Sequence, residues 1–407
     1  MNGPSSPPVR TARLVLTLGD GSVVGALPAV SVATPWWQDV APVVSAARER
    51  WGVEATVLRL LRASLPAPPG GEVTYLAQVD RPTAAAEPWT EALDDHHLRL
   101  PYARPGGPSA DLAWAAACFT DLGLTLTGPP AQVRTWNLSC LWRLPHAGGA
   151  AWLKVVPPFF AHEGALITHL ARWSVPKLLG HDGARILMAE IEGDDLYQAT
   201  SDQQAAMIDL LVDLQDAQSG SIDQLLALGL ADWRGAAFIQ AIEAVVQRVA
   251  PELSAGDRGA LASFARGLPR RLADLAACGL PDTLVHSDFH SVNFRGRNED
   301  LTLLYWGDSG VGHPLLDQTA FLDRIPGDRV EALRRHWLKA WKRRVPGADL
   351  TRAAKLLAPL AAARKAVVYQ GFLDCIEPSE HPYHRGDPAD WLGRTAALAR
   401  LEGAEED

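Results

Sequence analysis

The stretch His286-Ser287-Asp288-Phe289-His290-Ser291-Val292-Asn293 sets a carboxylate and a carboxamide five residues apart on a short segment. A loop of that length, held between buried anchors, can aim both side chains at one small group. His286, two residues ahead of Asp288, is placed to brace the loop by hydrogen bonding to backbone. A strand-like run, Leu301 to Trp306, follows and opens into Gly307-Asp308-Ser309-Gly310-Val311-Gly312-His313-Pro314-Leu315-Leu316-Asp317. Around these two blocks the periodicity is helical, over Asp202 to Asp216, Gly235 to Val249, Ser254 to Ala277, Arg329 to Lys342 and Thr351 to Tyr369.

The Asp-to-Asn spacing suits phosphoryl transfer to a hydroxyl, in which an Asp accepts the hydroxyl's proton and an Asn ligates Mg²⁺. Upstream, Leu138 to Leu144 and Ala151 to Val156 flank the turn Pro145-His146-Ala147-Gly148-Gly149 and read as a β-hairpin. Its second strand carries Lys154, and Glu163 opens the helical stretch that follows.

Taken together, these blocks resemble the aminoglycoside phosphotransferase-like kinases, which share the protein-kinase fold. His286, Asp288 and Asn293 match the HxDxxxxN catalytic loop of that family. Trp306, Ser309, Gly310, Gly312, Pro314 and Asp317 follow its next block, and the resemblance covers about residues 125 to 400. It implies an α+β, bilobal fold, with a small β-rich N-lobe over residues 108–193 and a mostly helical C-lobe over 194–407. It also implies ATP or another NTP as donor, Mg²⁺, and a small-molecule hydroxyl as acceptor. Asp288 is then the catalytic residue, Asn293 and Asp308 the metal ligands, and His286 and Asp317 the braces of the loops. Lys154, partnered by Glu163, falls where the family keeps the Lys that touches ATP phosphates. Asn137 or Ser139 would donate to phosphate from the glycine-free turn 134–139, and Glu190 and Ile191 correspond to the hinge whose backbone meets adenine.

One position departs from the family. Where the resemblance implies a metal-binding Asp directly before Trp306, this chain has Tyr305. A phenol, with a reference pKa of about 10, is a poor ligand for a hard cation. Three readings stay open: a weakened metal site built from Asn293, Asp308 and the nucleotide's own phosphates; a pseudokinase that binds nucleotide without turnover; or a single substitution in an otherwise ordinary kinase.

Residues 1–107 read as a separate small α/β accessory domain. It has a strand at Ala12 to Leu18, a helix from about Val40 to Trp51 stopped by Gly52, strands at Ala55 to Leu61 and Glu72 to Val79, and then loop. This order resembles a Nudix hydrolase domain. Glu49 is the only acid near the end of its helix, and one carboxylate cannot assemble a magnesium site, so the domain is expected to be non-catalytic.

The whole chain has 407 residues, 47% of them hydrophobic and 21% charged, which is ordinary for a globular protein. The net charge of −9 opposes a nucleic-acid partner and gives a weak long-range preference for a cationic acceptor. No apolar run is long enough to span a bilayer, so no membrane partner is expected. The start, Met1 to Arg13, lacks the layout of a signal peptide, and four scattered cysteines fit a reducing, cytoplasmic setting. The acids concentrated in Asp374 to Asp407 read as a solvated tail, with pairing to a cationic acceptor as the alternative that the family resemblance implies.

Overall fold

The computed structural model describes residues 8–297 and 300–406. They divide into two compact units, the first formed by the described residues up to 164, with 177–190 and 372–385, the second by 165–176 and the described residues from 191 to 371 and from 386 onward. The secondary structure is mixed α+β, with a β-rich first unit and a largely helical second one.

The first unit opens with β1 (Arg10–Thr17), β2 (Val23–Ala26), β3 (Val30–Val32), α1 (Ala41–Trp51), β4 (Thr56–Ala63) and β5 (Gly71–Gln78). Strand order is β2-β1-β5-β4, with β3 also on β1, and β1 pairs with β5 in parallel. Alternation on β1 explains how both faces are covered. Ala12, Leu14 and Leu16 join Trp37, Val43 and Ala47 on one side, while Val15 meets Leu58 and Leu76 on the other. Helix α1 starts with a Pro in its first turn and ends at Gly52, whose φ of 64° suits the left-handed cap.

Next come α2 (Gly107–Asp121), β6 (Ala131–Trp136), β7 (Ser139–His146), β8 (Gly149–Val155), α3 (Glu163–His169), which passes into the second unit after Gly164, β9 (Leu178–Asp182) and β10 (Arg185–Ala189). The second sheet is antiparallel in the order β6-β7-β8-β10-β9, and Phe119 and Ala115 of α2 pack with its Trp142, Leu153 and Leu187. Leu153 and Val155 belong to that core, so the period of two turns Lys154 to the opposite face.

The break expected at 107/108 lies inside the first unit. Strand β4 slips register against β5 at Val57/Arg59 and Leu60/Arg62. On the edge strand β4, Val57 pairs outward with the Gln132 amide of β6, which accepts from its N–H at 2.8 Å and donates to its carbonyl at 2.7 Å. Leu60 N–H donates to Glu380 Oε1 at 2.8 Å. The acids near 380 are therefore no solvated tail. Glu377 is buried against Arg59 at 3.3 Å and Arg99 at 3.0 Å, and Glu380 is buried beside Asn137.

Burial pushes the Glu380 carboxyl up to about 8, from an ordinary value of 4.5. A raised folded-state value for an acid means the unfolded chain releases its proton first. Stability is therefore lost as pH rises from about 4.5 to about 8 and is flat above. Glu380→Gln, which keeps the acceptor oxygen for Leu60, is expected to raise Tm near pH 8 and leave it nearly unchanged near pH 5. Equal shifts at both pH values would remove Glu380 as the titrating group.

The second unit comprises β11 (Asp194–Asp195), α4 (Ser201–Gln218), α5 (Ile222–Ala227), β12 (Ala231–Asp232), α6 (Gly235–Val249), α7 (Ala255–Ala276), β13 (Thr283–Val285), β14 (Phe294–Arg297), β15 (Asp300–Leu303), β16 (Gly310–Gly312), α8 (Leu316–Leu322), α9 (Gly327–Arg344), α10 (Leu350–Cys375) and α11 (Asp387–Glu406), apart from the last residues of α10. Residues 387–406, read from sequence as acidic tail, form α11, whose Leu392 and Ala396 are buried with Leu261 of α7. Among the described residues no helix is long and apolar enough to cross a membrane, and the four cysteines form no disulfide.

Candidate active site

Two short antiparallel pairings of the second unit hold the motif blocks. β13 leads into the loop 286–293 and β14 leaves it; β15 leads into 304–309 and β16 leaves it. Because β13 pairs with β16 and β14 with β15, both loops emerge from one clamp, and Leu304 N–H donates to Asn293 C=O at 2.8 Å between them. Gly310 is required there: a Cβ on it would lie 2.2 Å from the Trp233 indole nitrogen and 2.8 Å from the Ala231 carbonyl oxygen.

Asp317, fully buried on α8, accepts from the backbone N–H groups of His286 (2.9 Å) and Ser287 (2.7 Å) and from Gln215 (3.0 Å). Burial raises its carboxyl to about 6, against the pull of those hydrogen bonds. His286 donates from Nε2 to the Leu304 carbonyl (2.9 Å) and accepts at Nδ1 from the Asp288 N–H (3.3 Å). Its ring meets Trp306 edge-on. Those two bonds assign the tautomer and tie one block to the other.

Each oxygen of Asp288 is taken from two sides. Oδ1 lies 3.3 Å from Lys365 Nζ and 3.7 Å from Arg324 Nη2. Oδ2 accepts from Asn293 Nδ2 at 2.9 Å and faces His290 Nε2 at 3.2 Å. Burial works against the charged carboxylate, but Lys365, His290, Arg324 and the Asn293 hydrogen bond together outweigh it and hold Asp288 well below the usual carboxylate range. Burial lowers His290 to about 3, leaving it neutral at pH 7 and able to donate from Nε2. Asn293 spends Nδ2 on the Asp288 carboxylate and on its carbonyl (2.7 Å), so Oδ1 is the atom suited to a cation.

Tyr305 and Ser287 are the non-glycine residues with left-handed backbone among those described, at φ 62° and 75°, one in each loop. Such conformations are sparsely populated and persist where surrounding structure imposes them. Asp308 is half-buried on the single turn that follows Tyr305. Among the described residues no group of three or more His, Cys, Asp or Glu is arranged to hold a metal. Asn293 Oδ1 and the Asp308 carboxylate, one from each loop, are oxygen donors of the kind a hard cation takes.

In the first unit, Lys154 Nζ is 2.6 and 2.7 Å from the two oxygens of Glu163, and both residues are buried. Asn137 stands in the two-residue turn of the β6–β7 hairpin, fully buried. Its amide donates to Glu380 C=O (3.2 Å), and its oxygen faces His384 Nε2 (3.0 Å). That side chain is committed to the 372–385 segment. Ser139 Oγ accepts from the Trp136 indole at 3.3 Å. Glu190 pairs with Arg143 at 3.3 Å, and in the second unit the Ile191 carbonyl accepts from Arg295 at 3.0 Å.

The sequence reading missed Lys365, Arg364 and Arg324. Buried Arg364 donates to the Ser287 carbonyl at 3.1 Å and lies over the Trp233 ring. A signal existed: Arg364-Lys365 is an adjacent pair of cations inside the Ala- and Leu-rich run 356–368.

The model of the APH family, described as the phosphotransferase enzyme family, matches residues 139–357, more than half of the chain and including both motif blocks, Lys154 and Glu163. The chain belongs to this phosphotransferase family. A comparison with curated proteins finds no match. Among solved structures, the chain is similar to a candidate aminoglycoside phosphotransferase from Ralstonia eutropha, with TM-score 0.50 and 18% identity over 72% of this chain and 98% of that one. Weaker likenesses include the macrolide 2′-phosphotransferase MphH from Brachybacterium faecium (TM-score 0.47, 18% identity, 67% and 97% covered) and a choline/ethanolamine kinase family protein from Mesorhizobium loti (TM-score 0.46, 16% identity, 72% and 99% covered). The first of these likenesses shows the fold: the α+β kinase-like fold of family members. The phosphotransferase match begins at residue 139 and does not reach the Nudix-like order of residues 1–107.

Proposed function

We propose that this phosphotransferase moves the γ-phosphoryl group of ATP, or another NTP, to a hydroxyl of a small molecule. The observation that carries the reading is Asp288. Its carboxylate is held ionised by Lys365 and Arg324, and Asn293 is bonded to it. An ionised carboxylate accepts the hydrogen bond of an incoming hydroxyl and orients its oxygen toward phosphorus. Asp288 takes the proton as the O–P bond forms, which suits a loose transition state. Neutral His290 keeps a hydrogen bond on Oδ2 and so fixes the carboxylate plane. Lys154, its charge positioned by Glu163, contacts ATP phosphate oxygens; the Glu190–Ile191 backbone meets the base. Magnesium, when bound through Asn293 and Asp308, neutralises charge on the phosphates. Residues 1–107 serve as a non-catalytic accessory domain, and four free cysteines fit a reducing, cytoplasmic setting.

Tyr305 favours a second reading, a nucleotide-binding pseudokinase, because the phenol occupies the position at which the family keeps a carboxylate. Magnesium-dependent ADP release from ATP by the full chain, with a panel of small alcohols, separates the two. Acceptor-stimulated release supports the enzyme; a Tm rise with Mg·ATP and no release under any condition supports the binding module.

A further inference from the structure

Beside the Asp288 loop, within the second unit, lies a cavity of about 500 Å³ lined in part by His290, Ser291, Thr200, Gln204, Arg324 and Arg329. Its chemistry is one-sided: two guanidinium groups line it, and no Asp or Glu does. Arg324 is about half exposed, and its Nη2 lies 3.7 Å from Asp288 Oδ1. Arg329 is anchored through Nη1 alone, to the Ala199 carbonyl at 3.2 Å and to Gln204 Oε1 at 3.1 Å.

Two helices add to this polarity. The caps of α4 and α9, Thr200 and Pro326, both line the cavity. The positive ends of an eighteen-residue helix and of a second of the same length thus border one space. Thr200 has a capping box with Gln203, whereas Pro326 provides no side-chain cap. The acids of these first turns, Asp202 and Asp328, are exposed and do not line the cavity. At the end of α8 the carbonyls of Phe321 and Leu322 are taken by the N–H groups of Arg324 and Ile325, which blunts the opposing dipole end. His290, lowered by burial, is neutral there and adds no charge.

We infer that this cavity takes an anionic alcohol, a hydroxyl compound carrying a carboxylate or phosphate, whose anion is held by Arg329 with Arg324 while its hydroxyl reaches Asp288. The inference rests on the phosphotransferase reading for the hydroxyl and on the cavity alone for the anion. It reverses the preference drawn from net charge. A global charge of −9 acts weakly at long range, whereas a guanidinium within hydrogen-bond reach of a bound anion selects at contact.

The test is calorimetric binding to the full chain without nucleotide, in parallel with ADP release from Mg·ATP. The probes are inorganic phosphate, gluconate, glucose 6-phosphate, sorbitol and choline. The expected order is anionic over neutral over cationic, with gluconate against glucose 6-phosphate distinguishing carboxylate from phosphate. Arg329→Gln is expected to weaken binding of the preferred anion by roughly 10- to 100-fold, and Arg329→Lys, which keeps the charge, to retain most of it. If Arg329→Gln lowers Tm, the Arg329→Lys comparison and phosphate competition in the unaltered chain carry the test. Failure of all three anionic probes to bind at millimolar concentration overturns the inference, as does equal or better binding of choline. Anion binding through Arg329 with no ADP release for any alcohol keeps the anion site and sinks the phosphotransferase reading. ADP release with choline alone does the reverse.

Discussion

Asp288→Asn is expected to lower acceptor-dependent ADP release by about 10³-fold, within the range by which proton transfer from a positioned side chain accelerates reactions. The substitution preserves size and leaves an oxygen that accepts from Asn293 or His290, so the loop keeps most of its hydrogen bonds. What it removes is charge. Lys365 and Arg324 lose the anion 3.3 and 3.7 Å away, and the acceptor hydroxyl loses the group that receives its proton. The signature is a fall in kcat with no rise in the KM for ATP, because the roles assigned to Lys154 and Glu163 are untouched. A loss smaller than tenfold would exclude Asp288 as the proton acceptor.

Tyr305→Asp is expected to act in the opposite direction and to raise magnesium-dependent turnover by about 10²-fold. The backbone is prepared for the exchange. At φ 62° a tyrosine is strained, whereas Asp is several-fold enriched in the left-handed region. The side chain is 38% exposed, so no core contact of a fully buried ring is given up. The new carboxylate would join Asn293 and Asp308 as an oxygen donor, and one well-placed electrostatic partner of a transition state is worth about 10²- to 10³-fold. Tyr305→Asn tests backbone strain separately. It has the same left-handed tolerance without the charge, and is expected to bring little gain. If turnover is present only in Tyr305→Asp, the natural chain is a nucleotide-binding module and the enzymatic reading falls.

Much of the site was legible because its groups are close in sequence. The five-residue step from Asp288 to Asn293 and the nine-residue step from Lys154 to Glu163 are local spacings, and the structure joins each pair by hydrogen bonds. Strand and helix periods likewise placed β1, α1, β8 and α6 within a few residues, since alternation and amphipathicity are properties of neighbouring side chains. The 374–407 segment was misread for the converse reason. Nine acids among so few bases look solvated along the chain, yet Glu377 meets Arg59 and Arg99 across some 300 residues of sequence, and Glu380 accepts from Leu60 N–H on the edge strand β4. Asn137 shows the same limit. From its turn it looked available to a phosphate, but residues 380 and 384 occupy it.

The sequence by itself determined the phosphotransferase family and the departure at Tyr305, and it singled out Asp288 as the candidate acid, because these depend on residue type at fixed short spacing. Only tertiary structure decided which cations hold Asp288 ionised, which segment completes the first unit, and which charge lines the cavity beside the loop. Lys365, Arg324 and Arg329 come from different helices and loops. Electrostatic selection falls off over a few ångströms in space, a distance that separation along the chain does not measure.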